Sequence, residues 1–183
     1  CGENTNPLAR YSLMAEGEQI HISSYPPVWP THEPLANAAY DLANAIRIRA
    51  GAHSFEAKAF NVVASSIIDT AALKVLAPLG REALTVIEKA PRGVSMIIDP
   101  SGKVIAETSS AADELLMAEL DLAECVVPKQ FHDVVGYYNR FDVFSLKVDR
   151  TRRPPVEYAD NDAARVYPFD VMEKLEIRTK AAE

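Results

Sequence analysis

Apolar and polar positions recur with two different periods along this chain, and the switches between them mark out its elements. In residues 7–16, Leu8, Tyr11 and Ala15 share one face at helical spacing, with Asn4 or Asn6 as cap, Pro7 in the first turn and Gly17 as the stop. QIHIS then takes the period of a strand, Ile20 and Ile22 alternating against His21, and Pro26, Pro27 and Pro30 end any pairing beyond it. Helical spacing returns with Ala38, Leu42, Ala45, Ile46 and Arg49, which predicts a helix from Leu35 to about Lys58 with a weak point at Gly51.

FNVVASSII is a continuous apolar run and predicts a strand covered on both faces. TAALKVLAPLGREALTVIEKA predicts two short helical pieces broken at Pro78 and Gly80. In VSMIIDPSGKVIAET two β-rich runs are joined by Asp99, Pro100, Ser101 and Gly102, the strongest local signal for a hairpin. ELLMAELDL predicts a further strand, and so does FDVFSLKVD, where Val143, Ser145 and Lys147 alternate with Phe144, Leu146 and Val148. From Pro154 the chain is polar and proline-interrupted and is expected to be extended. Strands, covering helices and a hairpin together argue for an α/β or α+β layered domain.

Composition narrows the field. With 183 residues, 48% of them hydrophobic, the chain is long enough for one sizeable core, placed here at residues 1–150 with an extended tail at 151–183. The 26 acidic and 19 basic residues leave a formal charge of −7, which argues against nucleic acid as a partner, and the one basic cluster, Arg150, Arg152 and Arg153, is small. Two cysteines, Cys1 and Cys125, build no disulfide framework and match no zinc or redox spacing, so a reducing compartment is expected. No apolar run approaches the roughly 20 residues that span a bilayer, and no signal peptide precedes the chain, so the expectation is a cytoplasmic protein without a membrane partner. A first residue that is Cys rather than Met implies sequence upstream that is processed away or lies outside this chain.

Several residues have plain structural readings. His21, His32, His53 and His132 show no metal-ligand spacing, so no metal is expected. Cys125 lies in an apolar stretch and is expected to be buried and inert. Glu56 and Lys58 sit two apart on a helix, which turns them away from each other and predicts solvated or interface roles for both.

CGENTNPLARY, followed by GEQIHISSYPPVWP, resembles the nucleophile segment of the nitrilase branch of the carbon-nitrogen hydrolase family, where Cys-X-Glu-Asn turns from a strand into a helix. SFEAKAFNVVASS, GVSMIIDPSGKVIAE, ELDLAE and GYYNRFDVFSL continue in family order, so the resemblance covers about residues 1–148. It implies an α/β fold that is the second half of a four-layer αββα sandwich, beginning at the catalytic cysteine. The family's catalytic Glu and Lys lie upstream of that cysteine and have no counterparts here, so the missing N-terminal half is an expected partner, covering a sheet face that would otherwise stay apolar and bare. Helices at 7–16 and 36–58 match those that pair protomers in the family, which implies a homo-oligomer or spiral assembly.

The chemistry expected of this segment is nitrile hydrolysis, which calls for no cofactor. A nitrile carbon is a weak electrophile, and a cysteine at a helix N-terminus is activated as the thiolate. Cys1 would attack to give a thioimidate; hydrolysis releases ammonia and leaves a thioester, and a second water frees the acid. The backbone N–H of Gly2 is the expected oxyanion donor, and its small side chain leaves room beside the sulfur where many relatives carry tryptophan. Glu3 is expected to steady the turn, and Tyr25, Val28 and Trp29, after the next strand, are the expected substrate contacts. An amidase using the same thioester is the nearest alternative. An N-terminal-nucleophile hydrolase, in which the α-amine of Cys1 serves as base, and a non-enzymatic filament subunit are readings of other classes.

Overall fold

The computed structural model describes residues 1–29, 40–108 and 114–151. The chain divides into two units, Cys1–Lys147 and Val148–Glu183; most of the second, including the tail from Pro154, lies outside the described residues, as do Pro30, His32 and the predicted helix start at 35–39.

The first unit is a mixed α/β layer. Helix α1 (Pro7–Ala15) begins as its sequence dictates: Pro7 occupies the first turn and Asn6 Oδ1 accepts from Leu8 N at 3.0 Å. Gly17, at φ 78°, closes it in the left-handed conformation that a Cβ would penalise. Strand β1 (Ile20–Tyr25) follows, then α2 (Leu42–Ala57), capped by Asp41 Oδ1, which accepts from Asn44 N at 2.9 Å. Strand β2 (Phe60–Ser65) lies parallel to β1, so β1, α2 and β2 form a crossover unit. The predicted pair of helical pieces is α3 (Thr70–Leu76) and α4 (Arg81–Lys89), separated by a short 3-10 turn at Ala77–Leu79 that holds Pro78. β3 (Met96–Ile98) and β4 (Val104–Glu107) complete a four-stranded sheet in the order β1-β2-β3-β4, its last two pairings antiparallel.

The hairpin between β3 and β4 forms where its turn residues predicted. Asp99 Oδ1 accepts from Ser101 N at 2.8 Å, Ser101 Oγ at 2.6 Å and Lys103 N at 3.1 Å, and Gly102 takes φ 84°. Gly51, which looked like a weak point in α2, earns its place here: a Cβ at Gly102 would stand 3.2 Å from Gly51 O, so helix and turn approach at bare backbone.

Burial explains why the strands alternate. His21, Ser23 and Tyr25 of β1 point toward α2, and Tyr25, Leu42, Ile46, Ala50, Val63, Val94, Met96 and Ile98 pack as one apolar cluster between sheet and helix. The opposite side of β1 is open, with Ile20 45% and Ile22 74% exposed.

Two predicted strands do not form. Residues 114–121 of ELLMAELDL have no regular structure, with Leu115 80% and Met117 75% exposed, and Leu122 begins a 3-10 turn (Leu122–Cys125). FDVFSLKVD has a turn at 141–143 and no strand after it; Phe144 and Val148 stand exposed alongside Val143. Alternation states which side of a strand would be buried, but a strand also needs a neighbour to take its backbone hydrogen bonds, and among the described residues these segments have none. Lys58 also departs from expectation. It caps α2 at φ 55°, is buried to 2% exposure, and places its ammonium 3.5 Å from the centre of the Phe55 ring; burial pushes its pKa down. Glu56 instead reaches α1, accepting from Arg10 Nη2 at 3.0 Å.

Candidate active site

The open end of β1 faces the chain's first turn. Cys1 is an exposed free thiol. It stands ahead of a single 3-10 turn, Glu3–Thr5, rather than directly on α1. Gly2 caps that turn, its carbonyl accepting from Thr5 N at 3.0 Å, and Glu3 holds the next bond, its carbonyl accepting from Asn6 N at 2.9 Å. Glu3 contributes that backbone bond as any residue of the turn would, and the residue as a whole is exposed. A Cβ at Gly2 would meet nothing within 4 Å, so the space beside the thiol is open.

Tyr25 ties this turn to the sheet. The Arg49 guanidinium carbon lies 5.0 Å from the Tyr25 ring centroid, its Nε donates to Ala45 O at 3.0 Å, and its Nη1 donates to Thr5 Oγ1 at 3.2 Å. One arginine thus joins α2, the end of β1 and the turn behind Cys1. The Tyr25 hydroxyl is buried and has no well-aligned hydrogen-bond partner among the described residues, although Ser23 and Asn4 lie beside it. Burial raises the phenol's pKa, and Arg49, Ser23, Asn4 and Arg10 oppose that rise, so the group stays a neutral phenol at ordinary pH. A buried hydroxyl without a partner is costly, and such groups cluster where a ligand supplies the missing bond.

Val28 and Trp29 part company. Val28 is buried and forms an isolated bridge with Arg92, which fastens the proline-rich loop after β1. Gly93 strengthens that anchor: its N–H donates to Pro27 O at 2.9 Å, and a Cβ there would lie 2.9 Å from Pro26 O and collide with Ser65 Oγ. Trp29 is 55% exposed. A cleft of about 280 Å³ opens beside the loop, with Pro27, Arg47, Arg92, Gly93 and Glu107 among its walls. Of the expected contacts, Tyr25 is the one that Arg49 links to the turn behind Cys1.

The other end of β1 holds a cluster that spacing did not reveal. Glu18 Oε2 lies 3.1 Å from His21 Nδ1, and Glu18 Oε1 makes a short bond with His53 Nε2. The two imidazoles stack with centroids 4.1 Å apart. Burial pushes the Glu18 carboxyl up, but the hydrogen bonds and charge of His21 and His53 outweigh it and hold its pKa down to about 2. His53 comes from α2, 32 residues beyond His21, so only the fold brings the rings together. Glu18 and His21, three apart at the head of β1, were the visible half of the signal. Cys125 is buried as expected, its Sγ 3.7 Å from Gln19 O.

These features define a mixed α/β protein with an exposed thiol ahead of a turn that Arg49 ties to a buried phenol at the end of β1. Comparison with known proteins gives the lineage: the carbon-nitrogen hydrolase profile matches residues 1–129, and the chain belongs to the carbon-nitrogen hydrolase family. It is 36% identical over 157 residues to a nitrilase of Talaromyces marneffei, covering 82% of this chain and 47% of that protein. An aliphatic nitrilase of Rhodococcus rhodochrous is 31% identical over 176 residues (88% of this chain, 42% of the relative), and a cyanide hydratase of Alternaria brassicicola is 31% identical over 178 residues (96% and 48%). The chain spans about half the length of the curated relatives it matches. Among the described residues, no helix is long and apolar enough to cross a membrane.

Proposed function

We propose that this chain carries the nucleophile of a nitrilase, which converts an organic nitrile to a carboxylic acid and ammonia. The observation that carries the reading is the exposed Cys1 thiol on a short turn that Arg49 ties to Tyr25 at the end of β1. Cys1 Sγ adds to the nitrile carbon, and the nitrile nitrogen takes a proton to give a thioimidate. Water adds to that carbon, ammonia leaves, and the resulting thioester is hydrolysed by a second water that returns the thiol. The Gly2 N–H stabilises the charge that develops at each tetrahedral stage, and the open space at Gly2 admits the substrate. The Tyr25 hydroxyl, which has no well-aligned partner among the described residues, completes its hydrogen bonding with a polar group on the substrate or on the turn. Trp29, exposed after the anchored loop, and Val28, which fixes that loop, complete the substrate side.

The acid-base Glu and the Lys of the reaction belong to the part of the fold that this chain does not contain. Residues 1–150 act as one half of a four-layer αββα sandwich, with 151–183 as a tail, and the other half packs on the open side of β1. Exposed Ile20 and Ile22 support that packing, since a strand that shows two isoleucines to water leaves apolar area to bury. Leu8 and Leu13 of α1 and Ile48 and Phe55 of α2, all substantially exposed, support pairing between protomers.

A second reading shares every step up to the tetrahedral adduct. If that adduct expels the thiolate instead of ammonia, the product is an amide, and similarity to a cyanide hydratase favours keeping this outcome in view. The test is product analysis with the full-length protein on a panel of aliphatic, arylacetic and aromatic nitriles and cyanide, with amides in parallel. Ammonia and acid in equal amounts support the nitrilase; amide alone selects the hydratase; ammonia from amides but not from nitriles selects the amidase; no product from any of them overturns the proposal. Light scattering tests the assembly, and a monomer rejects protomer pairing.

A further inference from the structure

We infer that Glu18, His21 and His53 form a binding site for a late first-row divalent ion of the zinc type, holding the head of β1 to the end of α2. One ligand atom from each of the three lies within 4.8 Å of the others, close enough to surround one ion with small rotations of the side chains. The donor set is two imidazole nitrogens and one carboxylate. That set suits zinc, cobalt or nickel; calcium and magnesium demand cages of oxygen. A water completes four-coordination.

The surroundings separate this cluster from an ordinary surface ion pair. His53 is 2% exposed, and the side chains of Glu18 and His21 are each 12% exposed. Three titratable groups have been drawn out of water at one point, from two elements that are distant in sequence. Without an ion, Glu18 alone bridges both rings, and His21 Nε2 remains buried with no partner among the described residues. A divalent ion would take one nitrogen from each stacked ring and an oxygen from the carboxylate they share, and any proton that stands on a ligand atom leaves to solvent as the ion enters. The cluster lies at the head of β1 and Tyr25 at its other end, about 13 Å of strand away at roughly 3.3 Å per residue, so the ion's role is to fasten strand to helix. It is independent of the hydrolytic reading.

The test is metal content and thermal unfolding of the full-length protein, stripped with chelator and returned to zinc, cobalt, nickel or magnesium. Zinc is expected to bind at about one equivalent and raise the unfolding midpoint by about 5 °C at saturation, with no response to magnesium. Cobalt should give the intense visible bands of a four-coordinate nitrogen-oxygen site. H21Q and E18Q should each lower zinc affinity by about 100-fold, while H132Q, whose ring stacks with Tyr138 and lies tilted against Phe55, should leave it unchanged. The stripped wild type needs no variant to fold, so it decides the matter alone. Failure to retain zinc at micromolar concentration, or equal binding by H21Q and wild type, overturns the inference.

Discussion

Strand β1 ends in two very different environments, although α2 covers both. At its head, Glu18 bonds both His21 and His53 inside the protein and is held ionised by the two imidazoles, while His21 Nε2 keeps no partner among the described residues. At its tail, the Tyr25 hydroxyl is buried without an aligned partner, and the turn reached through Arg49 carries an exposed thiol. One end has its carboxylate bonded through both oxygens and the other leaves a phenol and a thiol waiting. Stability asks for the first arrangement and chemistry for the second, because a group already satisfied has nothing to offer a substrate.

The sharpest break in that contrast comes from C1A. Removing the nucleophile should lower turnover by at least about 10⁴-fold. Because Cys1 is exposed, the unfolding free energy measured in urea should stay within about 0.5 kcal/mol of wild type. Residual turnover within tenfold of wild type would mean that the reacting group lies elsewhere.

At the head of β1 the order reverses. H53L leaves Glu18 buried with one imidazole in place of two and should cost about 3 kcal/mol, read as a lower urea midpoint at constant slope. A loss below about 1 kcal/mol would show that the cluster is solvated and that the contrast between the two ends is false.

Y25F tests the tail directly. Its hydroxyl makes no aligned bond, so removing it should change stability by less than about 1 kcal/mol, with a gain as plausible in sign as a loss. Turnover should nevertheless fall by about tenfold or more if the hydroxyl meets substrate. A destabilisation above about 2 kcal/mol with unchanged turnover would make Tyr25 a purely structural residue.

What could be read in the sequence divides along the same line. The α1 cap at Asn6 and Pro7, the break at Pro78 and Gly80, and the Asp99–Gly102 turn were legible because each is a local contract between a side chain and its own backbone. The strands at 114–122 and 141–149 were misread because alternation alone cannot supply a neighbour. Cys1, Gly2 and Glu3 stood out through their family pattern, whereas Arg49 was taken only as a position on a helix. Its role depends on a ring 24 residues earlier and a hydroxyl 44 residues earlier, which only the folded chain brings together. His53 escaped for the same reason.

The smallest effect belongs to a surface pair that ties α2 to the far edge of the sheet. Arg47 Nη1 donates to Glu107 Oε2 at 2.6 Å, and its second nitrogen to the other carboxylate oxygen. The guanidinium holds the Glu107 carboxyl below its ordinary range, so the pair's contribution is complete above the unfolded carboxylate's value of about 4.3 and fades as pH falls through the lower folded one. Both side chains are about a third exposed, which limits the effect to under about 1 kcal/mol. E107Q should therefore lower stability slightly at pH 7, converge with wild type under acid, and respond to salt less than wild type does. Equal pH profiles for the two proteins would mean that Arg47 and Glu107 meet without holding β4 to α2.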